Sequence, residues 1–485
     1  MIGRRDFIRN AATMAAVTCV PVRIYGAAKA MGKPDLTIGL LSDIHISLGP
    51  NTNPMGATWL FRHALEYFRK RRVDGVLVSG DLTHLGLETE LKALADAWFS
   101  VFPEGKLPDG SPVANLMLYG DHDAEERFYS KRLKDGFAKA GVPLPCSLSQ
   151  GELRKELWEE YFKEPWSPVR HVKVKGYDFI LSNFMREGGR SAPVDLGDQL
   201  AAMKLDPAKP FFYGQHRYIG GTYLANEEMW GHDNGVARKV LPRFPNCIAL
   251  TGHTHYMLTD DRNVWAGEFV CINNGALKDA PVGRQRENGM DIPWYKTDYM
   301  RNSKMSCIAA NRGHGGMVMS VFGDTIVLER RDFGYDMPLG PDLVFSVNPK
   351  ERNSLSAKNR RLRSAVPEFA AGTVAAVSRG MGKNRRGDTL EQMTVRFPVA
   401  IAEGARPRAF DYVVRALRSD GTVVNEKRVY SPGVNLPPEK DAKEATCVFS
   451  VDEVGDAVRF SVAPANCWRV EGRAIQCPIR QVLHG

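Results

Sequence analysis

The sequence predicts an α/β domain followed by a smaller all-β domain. Between residues 36 and 335, short apolar runs alternate with segments of helical periodicity, which is typical of a sheet covered by helices. After residue 365 the apolar residues recur at every second position instead, which is typical of antiparallel strands. In the first part, aspartate and histidine cluster directly after the apolar runs.

The first predicted strand is the apolar run 36–41, and residues 57–72 are predicted as the helix that follows it. The next strand and helix are expected at 76–78 and 88–102, and a third strand at 116–118. Later strands are predicted at 179–181, 210–213 and 247–250, and a hairpin over 317–330 turns at Gly323 and Asp324. Together these elements define a predicted first domain, residues 31–349.

Two segments interrupt the alternating pattern, at 124–170 and at 279–316. The first is predicted as an insertion with one amphipathic helix that packs on the body of the domain. The second is a long loop rich in Arg, Asn and Gly, and loops of that length are often functional or disordered. The basic stretch 350–365 is predicted as a solvated linker, and residues 366–485 as a β-sandwich-like domain.

The net charge of +9 divides unequally along the 485 residues. Residues 1–30 contain five basic residues and one acidic residue, so they carry +4, and the rest of the chain carries +5. That mild excess suits anionic substrates, and no nucleic acid is expected as a stable partner. No apolar run reaches the roughly 20 residues that a transmembrane helix needs.

Residues 1–30 resemble a twin-arginine signal peptide. Arg4 and Arg5 are followed by a weakly apolar stretch, 11–22, and Ala28-Lys29-Ala30 fits a cleavage site. The alternative is an amphipathic N-terminal helix. The order of the three features favours the signal, which predicts an exported protein, periplasmic or extracellular, that meets the twin-arginine translocase during export.

The eight cysteines are dispersed along the chain, and none forms a Cys-x-x-Cys pair. A thiolate zinc site is therefore not predicted, and most cysteines are expected to be small buried residues. Cys467 and Cys477 are the pair whose spacing is compatible with a disulfide.

Five groups of polar residues follow predicted strands. They are Asp43-Ile44-His45, Gly80-Asp81, Gly120-Asp121-His122-Asp123, His216 and Gly252-His253-Thr254-His255. Open α/β sheets bind their ligands beyond the carboxyl ends of the strands, so these groups are expected to meet. Imidazoles and carboxylates bind Zn, Fe and Mn, and a glycine lets the backbone pass close to an ion or substrate.

Each group alone is compatible with an ordinary polar loop. The five groups in order predict a metal centre instead, because each of them ends a strand. Seven ligands of this type are more than one ion needs, and they suit two ions that share a bridging carboxylate. That arrangement is used to attack phosphate esters.

The order of these groups resembles the signature of the calcineurin-like metallophosphoesterase superfamily, and the resemblance covers about residues 36–335. It implies a four-layer α/β/β/α fold with two central mixed sheets. It also implies two divalent or mixed-valence metal ions, with Fe, Mn, Zn and Mg as the candidates. A hydroxide between the two ions would attack phosphorus.

The resemblance implies a role for each matching residue. Asp43, His45 and His255 would bind the first metal, Asp81 would bridge the two metals, and Asp121, His216 and His253 would bind the second. His122 would stabilise the transition state or protonate the leaving oxygen, and Asp123 would orient His122. The family has asparagine where this chain has Asp121.

The predicted function is hydrolysis of phosphoric esters, with a small phosphomonoester favoured as the substrate. One alternative is a phosphodiesterase that acts on nucleotides or lipid head groups. Another is a binding protein on the same fold that has lost turnover, but the retention of His122 and of every ligand position argues against it.

Asp121 carries a further expectation. A carboxylate binds a hard cation more tightly than an amide does, and it cannot donate a hydrogen bond to a substrate oxygen. We therefore expect Asp121 to strengthen the second metal site and to weaken affinity for dianionic monoesters relative to monoanionic diesters. A neutral replacement within this branch of the family is the alternative.

Other polar residues are given lesser roles. His84 is predicted to line the rim of the site, and the four arginines of the long loop are predicted to be solvated. Three further histidines are predicted to be surface or packing residues. The four arginines are Arg284, Arg286, Arg301 and Arg312, and the three histidines are His63, His171 and His232.

Overall fold

A computed structural model describes most of the chain in two compact units. The described residues are 23–24, 26–47, 54–124, 135, 138–141, 153–185, 191–222, 233–255, 257–278, 313–383, 387–400, 408–432 and 443–479. The first unit contains the described residues up to 278 and those of 313–359, and the second contains those from 360 onward.

Fourteen strands are described in the first unit. They are β1 (Arg23–Ile24), β2 (Leu36–Leu41), β3 (Gly75–Ser79), β4 (Ala114–Leu118), β5 (Val169–Val174), β6 (Tyr177–Ser182), β7 (Phe211–Gly214), β8 (Cys247–Thr251), β9 (Val264–Ala266), β10 (Val270–Asn273), β11 (Gly315–Phe322), β12 (Thr325–Asp332), β13 (Met337–Pro338) and β14 (Asp342–Ser346). The helices are α1 (Ala27–Met31), α2 (Pro54–Arg71), α3 (Glu88–Val101), α4 (Asp121–Ala124), α5 (Leu153–Phe162), α6 (Leu196–Ala202) and α7 (Val236–Val240), and α8 (Ala357–Leu362) spans the boundary between the units.

These strands form two mixed sheets. In the first sheet the order is β1-β14-β12-β11-β2-β3-β4, with β13 beside β12, and β2, β3 and β4 are mutually parallel. In the second sheet the order is β5-β6-β7-β8-β10-β9, and its four inner strands are parallel. The hairpin predicted at Gly323 joins β11 to β12 and is confirmed.

The apolar side chains of the sheets define four layers. Leu77 of the first sheet and Phe212 of the second belong to one buried cluster between the sheets. Val76 and Val78, which alternate with Leu77, face the other way and pack with α2, α3 and α5, where Trp158 is fully buried. The outer face of the second sheet packs with α6 and α7. The predicted α/β/β/α architecture is confirmed.

The second unit is all-β apart from a short helix. Its strands are β15 (Ala376–Lys383), β16 (Thr389–Pro398), β17 (Asp411–Leu417), β18 (Val423–Tyr430), β19 (Glu444–Ser450), β20 (Arg459–Ala465) and β21 (Ile475–Pro478), and α9 (Val451–Val454) follows β19. They form antiparallel sheets of three and four strands, and a shared buried cluster includes Tyr412, Phe449 and Phe460. The expected second domain is therefore confirmed as an all-β domain with two antiparallel sheets.

The stretch predicted as a solvated linker is partly buried. Residues Arg352–Leu355 form a helical turn before α8, and Leu355 is 3% exposed within the cluster between the sheets. The guanidinium of Arg352 donates to the carbonyl oxygens of Gly267, Glu268 and Pro245. The basic composition suggested a tether, but one apolar side chain and one arginine with backbone partners hold this turn against the first unit.

The N-terminal segment also packs on the first unit. Strand β1 pairs with β14, and the backbone N–H of Ala27 donates to Asp342 over 2.8 Å. Ala27 and Ala28 are buried against Val327 and Val344. The expected cleavage site at residues 28–30 therefore lies inside α1, and the predicted domain boundary at residue 30 would divide a packed helix. The remainder of the predicted signal lies outside the described residues.

The cysteines and the helices bear on two further expectations. Cys467 and Cys477 are both buried as thiols, and the disulfide suggested by their spacing is not formed. Among the described helices, none has the length and apolar character needed to cross a membrane.

A fragment of the first unit should be more stable when it ends at Asn359 than when it ends at Pro349. The shorter fragment, 23–349, exposes the apolar surface that Leu355 covers and leaves the carbonyl groups bound by Arg352 without donors. We expect the free energy of unfolding to fall by about 2 kcal/mol or more. Urea unfolding of 23–349 and 23–359 measures the difference. Equal midpoints would show that the turn does not stabilise the unit.

Candidate metal centre

The seven predicted ligands all lie where strands of the two sheets end. Asp43 and His45 follow β2, Asp81 follows β3, Asp121 begins α4 after β4, His216 follows β7, and His253 and His255 follow β8. Six of these residues are buried, and the side chain of His255 is 22% exposed. The structure therefore brings together groups that are more than 200 residues apart in the sequence.

Five of these residues have a left-handed backbone, which is uncommon outside glycine. The φ angles are 53° at Asp43, 48° at His45, 51° at Asp81, 69° at His253 and 49° at His255. Each such residue costs roughly 1 kcal/mol or more, so the surrounding structure must impose it. Strain concentrated at one cluster of polar residues indicates a functional site.

The three glycines that precede ligands permit close approach, as predicted. A Cβ on Gly80 would lie 2.5 Å from Nδ1 of His216, and Gly80 itself has a φ of 88°. A Cβ on Gly120 would collide with the carboxylate of Asp81, and one on Gly252 would collide with the hydroxyl of Ser42.

The first group of ligands contains Asp43, His45, Asp81 and His255, whose nearest ligand atoms all lie within 4.8 Å of one another. Nε2 of His45 is 3.0 Å from Nε2 of His255 and 3.5 Å from Oδ2 of Asp81. Oδ1 of Asp43 is 3.1 Å from Nε2 of His255.

The second group contains Asp81, Asp121, His216 and His253, and it meets the same distance limit. Nε2 of His216 is 3.2 Å from Oδ1 of Asp81, 3.2 Å from Oδ1 of Asp121 and 3.1 Å from Nδ1 of His253. Nδ1 of His216 lies 2.7 Å from the carbonyl oxygen of Ser79, which fixes the ring and leaves Nε2 as the ligand atom. Asp81 belongs to both groups and turns one carboxylate oxygen to each.

The chemistry of these atoms fits metal ions. Oδ1 of Asp43 is buried and accepts no hydrogen bond, although Nε2 of His255 lies nearby. Imidazole nitrogens face each other in both groups, where at most one of each pair can donate a proton. Two carboxylates and two imidazoles in each group are donors that first-row divalent ions prefer.

Comparison with known proteins agrees with this geometry. The model of the family described as calcineurin-like phosphoesterase matches residues 36–257. This segment contains every candidate ligand. The chain is a metal-dependent phosphoesterase, a hydrolase that acts on phosphoric ester bonds. The two ligand groups that share Asp81 support a binuclear metal site.

Solved structures similar to this chain include a dimetal phosphatase, a purple acid phosphatase and a vacuolar sorting protein. A dimetal phosphatase from Danio rerio has 15% identity and a TM-score of 0.33, over 65% of this chain and 100% of its own. A purple acid phosphatase from yellow lupin (Lupinus luteus) seeds has 14% identity and a TM-score of 0.38, over 65% of this chain and 55% of its own. Vacuolar Protein Sorting 29 from Cryptosporidium parvum has 14% identity and a TM-score of 0.29, over 64% of this chain and 97% of its own. No curated protein matches the chain by sequence.

Burial keeps two of the phosphoesterase's histidines neutral. It lowers the pKa of His253 to about 4, and burial with the neighbouring imidazole of His255 lowers the pKa of His45 well below its ordinary value. A neutral imidazole is the form that binds a metal. Burial also lowers the pKa of His216, but Asp81 and Asp121 outweigh it and hold that pKa well above the ordinary value.

The pKa values of the carboxylates Asp81 and Asp121 also shift in opposite directions. Burial, together with the negative charge of Asp121, raises the pKa of Asp81 to about 6, although His216 and His122 act to lower it. Burial would also raise the pKa of Asp121, but His253, His216 and Arg217 hold it well below the ordinary value. Asp121 is therefore ionised in the metal-free protein, whereas Asp81 is partly protonated near neutral pH.

His122 lies beside the first group, with its ring centroid 4.6 Å from that of His45. Its Nδ1 lies 2.7 Å from the carbonyl oxygen of His84, so Nδ1–H donates there and Nε2 is left to the site. Burial lowers the pKa of His122, but Asp81 and this hydrogen bond raise it above its ordinary value. His84 thus does more than line the rim, and its ring also stacks on that of His122.

Asp123 does not orient His122, contrary to the expectation from the resemblance. Its carboxylate instead accepts four hydrogen bonds, from the backbone N–H groups of Leu82, Thr83 and Gly120 and from the Thr83 hydroxyl, at 2.6–3.0 Å. Asp123 therefore ties the loop after β3 to the loop after β4. It is a positioning residue for Asp81 rather than a partner of the His122 ring.

Arg217 is a residue that sequence reasoning missed. Its Nη2 lies 2.9 Å and its Nε 3.3 Å from Oδ2 of Asp121, and its guanidinium carbon is 4.9 Å from the ring centroid of Phe184. The signal in the sequence was the carboxylate at position 121, where the resemblance implies a neutral asparagine, together with the position of Arg217 directly after the candidate ligand His216.

The remaining predicted polar residues lie away from the site or outside the described residues. His63 stacks on Trp59 and lies 3.5 Å from Asp336, and His171 pairs with Asp178 over 2.8 Å. Both agree with surface or packing roles. His232 and the four loop arginines lie outside the described residues.

In the metal-free protein, Asp81→Asn should increase the free energy of unfolding above pH 6. The carboxyl has a pKa of about 6 in the folded protein against an ordinary value of 3.8, so ionisation destabilises the fold as pH rises through that range. The asparagine of the variant does not ionise, so the variant should be more stable than the wild type by roughly 1–3 kcal/mol at pH 7.5. Below pH 4, where the Asp81 carboxyl is protonated, the variant should have no greater stability than the wild type.

Urea unfolding of both proteins in a chelator, at pH 4 and pH 7.5, measures the effect. Saturating Mn²⁺ should reverse the order at pH 7.5, because ions that bind the native carboxylate stabilise the wild type by mass action. If the variant is no more stable than the wild type in the chelator at pH 7.5, ionisation of the buried Asp81 carboxyl does not destabilise the fold.

Proposed function

We propose that this protein hydrolyses phosphomonoesters with two metal ions held by the two ligand groups. The observation that carries the proposal is the position of Asp81, which offers one carboxylate oxygen to each group. Asp43, His45 and His255 would complete the first site. Asp121, His216 and His253 would complete the second.

The ions would be divalent or of mixed valence, and the combination of imidazole and carboxylate ligands is compatible with Fe, Mn, Zn or Mg. When bound, they would supply a water nucleophile active at neutral pH and offset charge on the phosphoryl oxygens. The protein supplies the rest of the chemistry through positioned side chains. Two neutral imidazoles, His45 and His253, are ready to bind without losing a proton.

His122 would act as the proton donor. As the bond between phosphorus and the ester oxygen breaks, that oxygen becomes an alkoxide and needs a proton. Nε2 of His122 would give it, because Nδ1–H is occupied by the carbonyl oxygen of His84. In the metal-free protein, Asp81 and this hydrogen bond raise the pKa of His122 above its ordinary value, which favours the protonated ring.

Asp81→Ala should lose both bound metal and hydrolysis of p-nitrophenyl phosphate. Removal of a shared carboxylate weakens both sites, and loss of the metals' contribution of several kcal/mol corresponds to a factor on the order of 10³ in kcat. Elemental analysis and turnover with Mn, Zn, Fe or Mg measure the two effects. Asp178→Ala is the matched control, since Asp178 pairs with a histidine of the same unit outside the site.

Two metals per chain and normal turnover in Asp81→Ala would show that Asp81 does not bridge. Turnover of the bis ester alone by the wild type would assign the protein as a phosphodiesterase. Metal binding with no turnover of either ester would assign it as a binding protein.

We also propose that the protein is exported by the twin-arginine route to the periplasm or beyond, as residues 1–30 predict. That route carries folded proteins, which suits an enzyme that binds metals before export. Because Ala27 and Ala28 pack on the first unit, a cut after Ala30 would expose apolar residues of β12 and β14. The N-terminal sequence of the exported protein therefore shows how much of α1 is retained.

Replacement of both Arg4 and Arg5 by lysine should leave a full-length precursor in the cytoplasm, because the twin-arginine pair is the address for this route. Cell fractionation and immunoblotting measure the distribution. Arg9→Lys is the control, since it removes one nearby arginine and keeps the pair. Unchanged export of the double variant would show that the pair is not required.

A further inference from the structure

Arg217 links the second ligand group to the protein surface. Asp121 places Oδ1 3.2 Å from Nε2 of His216 and Oδ2 2.9 Å from Nη2 of Arg217. The Arg217 side chain is 23% exposed, whereas that of Asp121 is 9% exposed. One carboxylate therefore contacts both a buried ligand and a cation that reaches solvent.

The ion pair leaves part of the guanidinium free. Arginine has five N–H donors, and Asp121 takes one from Nε and one from Nη2. Among the described residues, Nη1 has no hydrogen-bond acceptor. The ring of Phe184, itself buried, packs against the guanidinium at 4.9 Å and limits its movement. An oriented arginine with unused donors beside a ligand group is suited to a phosphate oxygen.

From this geometry we propose that Arg217, oriented by Asp121 and Phe184, binds an oxygen of the substrate phosphate and favours the dianionic phosphate of a monoester. The inference rests on the proposed function, because it places the phosphate at the two ligand groups. Asp121 then adds no net negative charge, since its ion pair neutralises it. The proposal therefore predicts the opposite of the expectation that Asp121 disfavours monoesters.

The alternative is that Arg217 only neutralises Asp121. The two roles differ when the charge of Asp121 is removed. If Arg217 is only a counter-ion, Arg217→Met should weaken phosphate binding in the wild type but not alongside Asp121→Asn. If Arg217 binds phosphate, the loss should occur in both backgrounds. Methionine is the chosen replacement because it keeps an apolar contact with Phe184.

The measurement is calorimetric titration of inorganic phosphate into protein that contains two metals per chain by elemental analysis. We expect Arg217→Met to raise the dissociation constant roughly 10- to 100-fold in both backgrounds, as for loss of a hydrogen bond between charged groups. KM for p-nitrophenyl phosphate should rise more than KM for its bis ester. Arg217→Lys keeps the charge and should lose a smaller part of the affinity.

Arg238→Met is the matched control. Arg238 also forms a two-point ion pair, with Glu268 at 2.9 and 3.2 Å, and lies over an aromatic ring, Trp265, at 5.3 Å. It belongs to the same unit and contacts neither ligand group. Its removal should change neither phosphate affinity nor the ratio of the two KM values.

Three results would overturn the inference while the wild type still binds metals and hydrolyses esters. The first is unchanged phosphate affinity in metal-loaded Arg217→Met. The second is a loss confined to the background with Asp121. The third is loss of metal in Arg217→Met together with full phosphate affinity in Arg217→Lys. A wild type without metals or turnover would instead contradict the proposed function itself.

Discussion

The burial of three carboxylates at one point is the constraint on which the rest of the site depends. Asp43, Asp81 and Asp121 are each less than 10% exposed, and their mutual repulsion in a medium of low polarity must be offset. Part of the offset is internal, through the charged imidazole of His216 and the guanidinium of Arg217. Two bound cations would offset the remaining repulsion between the three carboxylates.

The architecture resists this repulsion because it holds the loops before any ion binds. The carboxylate of Asp123 joins the loops after β3 and β4 through backbone groups, and Nδ1 of His216 is fixed by the carbonyl oxygen of Ser79. Left-handed residues such as Asp81 persist because the neighbouring parallel strands β2 and β4 are buried, apart from Ala114 at the start of β4. Stability of the core between the sheets is thus used to keep a strained cluster in place.

The alternation of the sequence predicted the strands, the layers and the meeting of all seven ligands, since each depends on local pattern and on the direction of parallel strands. It did not predict the partners of Asp123 or the hydrogen bond from His122 to the carbonyl oxygen of His84. Apart from the contact of Asp123 with Gly120, those contacts depend on approaches of loops that lie 38–41 residues apart. The turn at Arg352 was misread because composition describes average polarity, whereas its burial depends on two side chains.

Asp121 shows why a departure from a family pattern is best interpreted with its neighbours. Considered alone, a carboxylate in place of an amide adds one negative charge near a phosphate and removes a donor. In the structure, Arg217 lies 96 residues away in sequence and 2.9 Å away in space, so it cancels the charge and adds donors of its own. The Asp121–Arg217 pair has no net charge, like the asparagine that the resemblance implies at position 121. It presents a guanidinium, however, instead of an amide. If Arg217 binds the substrate phosphate as proposed, the preference between mono- and diesters is a property of the Asp121–Arg217 pair and not of either residue alone.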